Sequence, residues 1–216
     1  VQLTGGAQAK IVHTATQISD FNPGGDLDIR AYRGIANEKD LREFRDDWNN
    51  DSFTVIAKWE DAPGSGIIRL LADIDMTGSE SFTPIAGANG FYATFDGSGH
   101  TITGLHIDAG TEGFIGLFRR ISSIGTVRGL HLRGATVKGR AYVGGLAGRN
   151  YGTIAACSFG GTVQATGSFA AGIAGSNFEG GQITGCYSIA TQVSGDPRYG
   201  IVGTNYGTIT ACHSLS

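Results

Sequence analysis

One unit of about 27 residues recurs through the second half of this 216-residue chain, and it constrains the fold more than any other feature. The phrase Phe114-Ile-Gly-Leu-Phe118 returns as Val143-Gly-Gly-Leu-Ala147, Ala170-Ala-Gly-Ile-Ala174 and Arg198-Tyr-Gly-Ile-Val202. A second phrase follows each copy: Gly125-Thr-Val-Arg-Gly-Leu130, Gly152-Thr-Ile-Ala-Ala-Cys157, Gly181-Gln-Ile-Thr-Gly-Cys186 and Gly207-Thr-Ile-Thr-Ala-Cys212. Within it, Val127, Ile154, Ile183 and Ile209 stand 27, 29 and 26 residues apart. His100-Thr-Ile-Thr-Gly-Leu105 reads as an earlier copy, and a short phrase around Val137, Val163 and Val193 completes the unit.

Each unit holds three short runs in which β-branched and polar residues alternate, broken by Gly, Asn or Ser. That alternation excludes helix here. A propeller blade needs a longer unit, and a leucine-rich repeat needs its own leucine phrase. What fits is an all-β chain, a right-handed parallel β-helix of about five to six coils stacked about 4.8 Å apart. Residues 66–216 are expected to form this solenoid as one continuous unit, its first coil reading Gly66 to Met76.

Glycine occupies 36 positions, against an average of roughly 7%, with no three-residue period, so it marks turns. Charge is concentrated at the front. Residues 1–75 hold 21 of the 35 charged side chains and residues 142–216 only four, so the far end stays soluble on Thr, Ser, Asn and Gln. The net charge of −3 offers no general affinity for nucleic acid or anionic membranes, and no stretch is long and apolar enough for a transmembrane helix. The chain opens on Val-Gln-Leu-Thr with no visible signal segment, as a mature or trimmed form would.

The alternation also assigns faces. Val127, Leu130 and Leu132 point inward, with a slip at Gly129. Cys157, Cys186 and Cys212 then extend a core ladder expected to begin at Leu105 and Leu130. Stacked parallel side chains are badly placed for a disulfide, so three free, inert thiols are expected. Asn150, Asn177 and Asn205 should stack at one corner, each followed by a ring: Tyr151, Phe178 and Tyr206.

Residues 1–65 differ in character. Asn37 with Asp40 three residues on reads as a helix cap. Leu41, Phe44 and Trp48 then share one helical face. A helix over about 37–50 is therefore expected to cover the open end of the solenoid, with further strands from residues 1–35. At the other end, the last phrase stops at Cys212-His-Ser-Leu-Ser216. It is expected to leave a rung carrying Ile201, Ile209 and Cys212 open, so that either the parent protein continues with more structure there or two copies pack end to end.

With these residues in view, the chain resembles the GLUG repeats of bacterial surface proteins. The likeness is best at Val143-Gly-Gly-Leu-Ala-Gly148 with Gly152-Thr-Ile-Ala-Ala-Cys157, and it extends over about 66–216 through Leu71-Ala-Asp-Ile-Asp-Met76, Thr83-Pro-Ile-Ala-Gly87 and Phe95 to Leu105. The resemblance implies an extracellular or cell-surface location, in adhesins, surface lipoproteins or accessory regions of immunoglobulin A-cleaving metallopeptidases. It supplies no catalytic residues, and the His-Glu-x-x-His zinc signature is missing from this sequence.

No catalytic residue, metal site or cofactor is therefore assigned. The competing class is a polysaccharide lyase or glycoside hydrolase, which would stack carboxylates on neighbouring coils. Asp73 and Asp75 share a face and Asp96 lies a coil later. The expected alignment puts Arg119 and then Gly148 above Asp96, ending the row. His106 and His131 read as equivalent positions with no third ligand. The feature with most chemical content is a basic rung of Arg119, Arg120, Arg128, His131, Arg133, Lys138 and Arg140, with no acidic residue between Gly113 and Ala141. It would attract an anionic partner such as a sulfated or uronic-acid glycan. The expected function is a non-catalytic adhesion or binding module for glycans or for host or bacterial surface proteins.

Overall fold

The computed structural model describes residues 11–13, 16–18, 31–50, 54–62, 64–86, 90–194 and 198–215. Strands β1 (Ile11–His13), β2 (Thr16–Ile18) and β3 (Ala31–Arg33) pair antiparallel, and α1 (Glu38–Asn50) and α2 (Val55–Trp59) follow. The first rung carries β4 (Ile67–Arg69) and β5 (Ile74–Asp75). The second carries β6 (Thr94–Asp96), β7 (Thr101–Thr103), β8 (His106–Asp108) and β9 (Phe118–Ile121). The third holds β10 (Thr126–Arg128), β11 (His131–Gly139), β12 (Val143–Gly144) and β13 (Ala147–Asn150). In the fourth lie β14 (Thr153–Ala155), β15 (Ser158–Ala165), β16 (Ala170–Ala171) and β17 (Ala174–Asn177). The fifth has β18 (Gln182–Thr184), β19 (Tyr187–Ser194), β20 (Arg198–Tyr199) and β21 (Val202–Asn205), above which lie β22 (Thr208–Thr210) and β23 (His213–Ser214).

Among the described residues, the named strands of this solenoid of about five turns pair parallel and between successive rungs. One sheet runs β4-β6-β10-β14-β18-β22, a second runs β5-β7-β11-β15-β19-β23 with β8 beside β11, and a third runs β9-β13-β17-β21. Each places one apolar row inside. Ile68, Phe95, Val127, Ile154 and Ile183 are fully buried and in register. So are Ile74, Ile102, Leu132 and Phe159 on the second sheet. Burial of such side chains contributes about 1.5–3 kcal/mol each, and the repetition explains why rungs of three-residue strands hold together.

The expected register holds for Val127, Ile154, Ile183 and Ile209, and for Val137, Val163 and Val193. It fails one rung earlier. The phrase at His100–Leu105 is not the copy below Gly125–Leu130: Phe95 lies under Val127, whereas Ile102 lies under Leu132. The cause is corner length. Gly97 to His100 separate β6 from β7, while only Gly129 and Leu130 separate β10 from β11. A second cause is that a polar–aliphatic–polar–Gly phrase serves two consecutive corners, with left-handed residues at Gly129 (φ 58°) and at Gly104 (φ 71°). The cysteine ladder accordingly starts at Leu130, beneath which lies His100, while Leu105 sits under Ala135. The same shift puts His106 beside Thr136, not His131, and Arg128 above Asp96, where Arg119 was expected. His131 does align with Ser158, Tyr187 and His213.

The front rung is covered as expected. Asn37 Oδ1 accepts from the Asp40 N–H at 3.0 Å, and Asp40 Oδ2 accepts from the Ala36 N–H at 3.1 Å, closing the N-terminus of α1 reciprocally. Leu41, Phe44 and Trp48 are buried. The Phe44 ring lies 5.7 Å from both Trp48 and Trp59 and 6.0 Å from Phe95, so an aromatic cluster joins the helices to the rungs.

Candidate binding face

The seven basic residues read from the sequence share the turn from β9 to just past β11 but spread over three faces. Arg119 and Arg120 lie on β9, Arg128 on β10, and His131, Arg133 and Lys138 on β11, with Arg140 in the following turn. Acidic groups from just outside the segment neutralise part of the set. Glu112 pairs with Arg119. Asp96 accepts from Arg128 Nη2 at 2.9 Å and from Arg69 Nη1 on the rung below at 3.0 Å. His131 Nδ1 is 2.8 Å from Ser158 Oγ. Arg133, Lys138 and Arg140 make no ion pair with a described residue, but they belong to a different side of the rod from Arg120.

Burial on its own would raise the Asp96 carboxyl. The Ser98 N–H and the Arg128 and Arg69 guanidiniums outweigh it and hold the group below the usual carboxylate range. Asp73 is also lowered, by the Thr101 N–H and then by His100, and Asp75 by Thr77. Each of these carboxylates therefore has a local structural partner. No group of three or more His, Cys, Asp or Glu side chains is gathered in metal-binding geometry among the described residues. The thiols are free, Cys157 and Cys186 being buried. Each donates to backbone carbonyls, Cys157 Sγ to Ala155 O at 3.2 Å and Cys186 Sγ to Thr184 O at 3.3 Å. The Cys186 thiol stacked on it and then burial push Cys157 well above the ordinary thiol range.

The corner ladder takes the expected form in its amides and first two rings, while Tyr206 is tilted 34° from Phe178 at 6.4 Å. Asn150 Nδ2 donates to Asn177 Oδ1 at 2.8 Å, and Asn177 Nδ2 donates to Asn205 Oδ1 at 2.8 Å. Tyr151 stacks on Phe178 with centroids 4.4 Å apart and planes 10° apart. A second aromatic ladder was not legible in the sequence. Phe114, Tyr142 and Phe169 stack at 4.7 and 4.8 Å, with planes 1° and 17° apart. All three have left-handed backbone, at φ 58°, 53° and 62°, which costs each an L-residue penalty. The only sequence signal is an aromatic two residues before each Gly116, Gly144 and Ala171. Room for the corner comes from Gly148 and Gly175, where a Cβ would collide with the Phe114 and Tyr142 backbones.

Between the two ladders the third sheet presents Arg120 and Arg149, paired in register on adjacent rungs, with Ser176 and Thr204 continuing the row. The Arg120 guanidinium lies 4.7 Å over the Tyr151 ring, and that of Arg149 lies 3.5 Å over Phe114. Arg149 was not among the residues read from the sequence, because it falls one rung beyond the basic segment.

The rungs, inward rows and corner ladders define a glycine-rich parallel β-solenoid. Residues 139–164 match the family described as the GLUG motif, so the chain carries that repeat. A Gly-rich membrane protein of Evansella cellulosilytica is 42% identical over 95 residues, covering 40% of this chain and 11% of that protein. Halomucin of Haloquadratum walsbyi is 36% identical over 107 residues, covering 44% of this chain and 1% of its own length. A crystal structure of a protein from Bacteroides ovatus assigned as an immunoglobulin A1 protease superposes with a TM-score of 0.65 at 26% identity, covering 86% of this chain and 57% of that one. The chain thus spans a small part of the curated relatives it matches. None of the described helices is long and apolar enough to cross a membrane.

Proposed function

We propose that this chain is a non-catalytic binding module of a bacterial cell-surface protein, an adhesin-like solenoid that recognises glycans or surface molecules. The observation that carries the reading is the state of Asp96. A β-helix glycosidase or lyase presents a carboxylate to its substrate as acid, base or cation ligand. Here Asp96 is 8% exposed and bridged by arginines from the rungs below and above. It ties rungs together. The relatives support the setting, since one bears a membrane-protein name and another the name halomucin.

The test is a glycan array paired with turnover assays on pectin, alginate, glycosaminoglycans and immunoglobulin A1. Retention of at least one glycan class without any cleavage supports the module. Turnover that disappears in Asp96→Asn, or cleavage of immunoglobulin A1, overturns it; failure to bind any glycan overturns glycan recognition and leaves other surface molecules as the target.

A further inference from the structure

Arg120 and Arg149 occupy one outward row one rung apart, roughly 4.8 Å along the rod. Like charges placed opposite each other on neighbouring strands repel. Three other arginines of the solenoid are neutralised: Arg119 has Glu112, and Arg69 and Arg128 share Asp96. Among the described residues neither Arg120 nor Arg149 meets a carboxylate. Instead each lays its guanidinium on an aromatic ring, and the Nε of each is buried with no hydrogen-bond partner. A buried donor without a partner in so regular a framework needs an explanation, and two in adjacent rungs point to one cause.

The ladders beside them narrow the ligand. Phe114, Tyr142 and Phe169, like Tyr151 and Phe178, turn their faces toward one another. They offer edges outward, so they make a poor stacking platform for a neutral sugar. What they do is seat the two guanidiniums, 4.7 and 3.5 Å over ring centres, and a seated guanidinium is a fork of donors suited to an oxyanion. The row then runs parallel to the rod axis through Ser176, which is buried, to Thr204, half-exposed and hydrogen-bonded to Ser176 at 2.7 Å. A linear ligand fits that direction.

We propose that Arg120 and Arg149 form an anion site for an acidic polysaccharide lying along the third sheet between the two aromatic ladders. The proposal rests on the glycan-binding reading above and assigns it a place and a ligand class. The site supersedes the rest of the basic rung, whose members either pair with acids or face other sides.

The experiment measures binding of a heparin dodecasaccharide and of a galacturonan oligomer, with dextran as the neutral control, by calorimetry at two salt concentrations. Arg120→Gln and Arg149→Gln are each expected to weaken acidic-oligomer binding about tenfold, the loss for one charge-assisted contact. An R133Q/K138Q/R140Q triple variant is expected to leave affinity within about threefold. The R120K/R149K pair keeps charge and stem while losing the fork. It is expected to fall between wild type and the glutamine variants, and it serves if those do not fold, as circular dichroism will show. The heparin and galacturonan arms separate sulfate from carboxylate recognition. Acidic oligomers that bind both arginine variants normally but fail on the triple variant overturn this site while leaving the glycan reading intact. Dextran binding as well as the acidic oligomers overturns the ligand class. Binding of no glycan removes this site together with the glycan recognition it rests on.

Discussion

Replacing Asn177 by alanine tests whether the corner ladder holds rungs together. The Asn177 side chain is fully buried and makes three hydrogen bonds: it accepts from Asn150 at 2.8 Å and donates to Gly181 O at 3.2 Å and to Asn205 Oδ1 at 2.8 Å. At about 1 kcal/mol each, their loss amounts to about 3 kcal/mol, and buried partners left unpaired add to it. Asn205 is an internal control. It also makes three bonds, accepting from Gly207 N–H at 3.3 Å and donating to Gly207 O at 3.2 Å besides its bond to Asn177, but it is exposed. Water replaces what Asn205→Ala removes, so that change is expected to cost about 0.5 kcal/mol or less. A double cycle of Asn150→Ala with Asn177→Ala should show coupling of about 1 kcal/mol for the bond they share. Urea unfolding followed by far-UV circular dichroism supplies the comparison. A lower slope in the variants would mean that rungs have begun to melt separately, as nearest-neighbour arrays do. Equal losses at Asn177 and Asn205, or a loss under about 1 kcal/mol at Asn177, would refute the argument that burial sets the strength of the ladder.

Phe44→Ala should destabilise by about 3–5 kcal/mol and shift tryptophan emission to longer wavelength, because Trp48 and Trp59 both pack against that ring. An unchanged emission spectrum would mean that the helix does not seal the first rung. For Asp96 the folded carboxyl is lowered, so its contribution is present above the unfolded value of about 3.9 and lost as pH falls through the folded one. Asp96→Asn is expected to cost about 1–2 kcal/mol at pH 7 and to flatten the acid limb of a melting-temperature profile between about pH 5 and 2; a limb as steep as that of the wild type would show that Asp96 is not the responsible group.

How much of this was legible in the sequence depends on what a position had to do. The inward aliphatic row at Val127, Ile154, Ile183 and Ile209 was readable because apolarity and spacing suffice to define it. The helical cap was readable for the same reason, from Leu41, Phe44 and Trp48 at helical spacing. Register in the second rung was not, since Thr101-Ile-Thr-Gly-Leu105 has the same local chemistry as both following corners, and only corner length separates them. The Arg128–Asp96–Arg69 bridge went unseen because it follows from that register. The Phe114, Tyr142 and Phe169 corner was hidden more deeply. Left-handed backbone is normally announced by Gly or Asn, and here stacking of large rings stands in for that permission. Half of the candidate anion site was named from the sequence as Arg120. Its partner Arg149 became visible only through the pairing of β9 with β13.

The corner ladders have a consequence for how such a rod can change its length. An asparagine or a ring in one rung is completed by the same residue type in the next, so a change in length is tolerated only where a bend or a bulge absorbs it before the next corner. The rungs here tolerate spacings of 27, 29 and 26 residues between Val127, Ile154, Ile183 and Ile209 while their strands stay in register. The slack lies in the bends and in two bulges, one between Arg133 and Ala135 where β11 meets β15 and one between Gly161 and Thr162 where β15 meets β19. Growth or loss of such a chain is therefore quantised: a duplication survives when it copies a whole turn, ring and amide included. A lineage of these proteins should differ by integral numbers of turns and by the dressing of their corners.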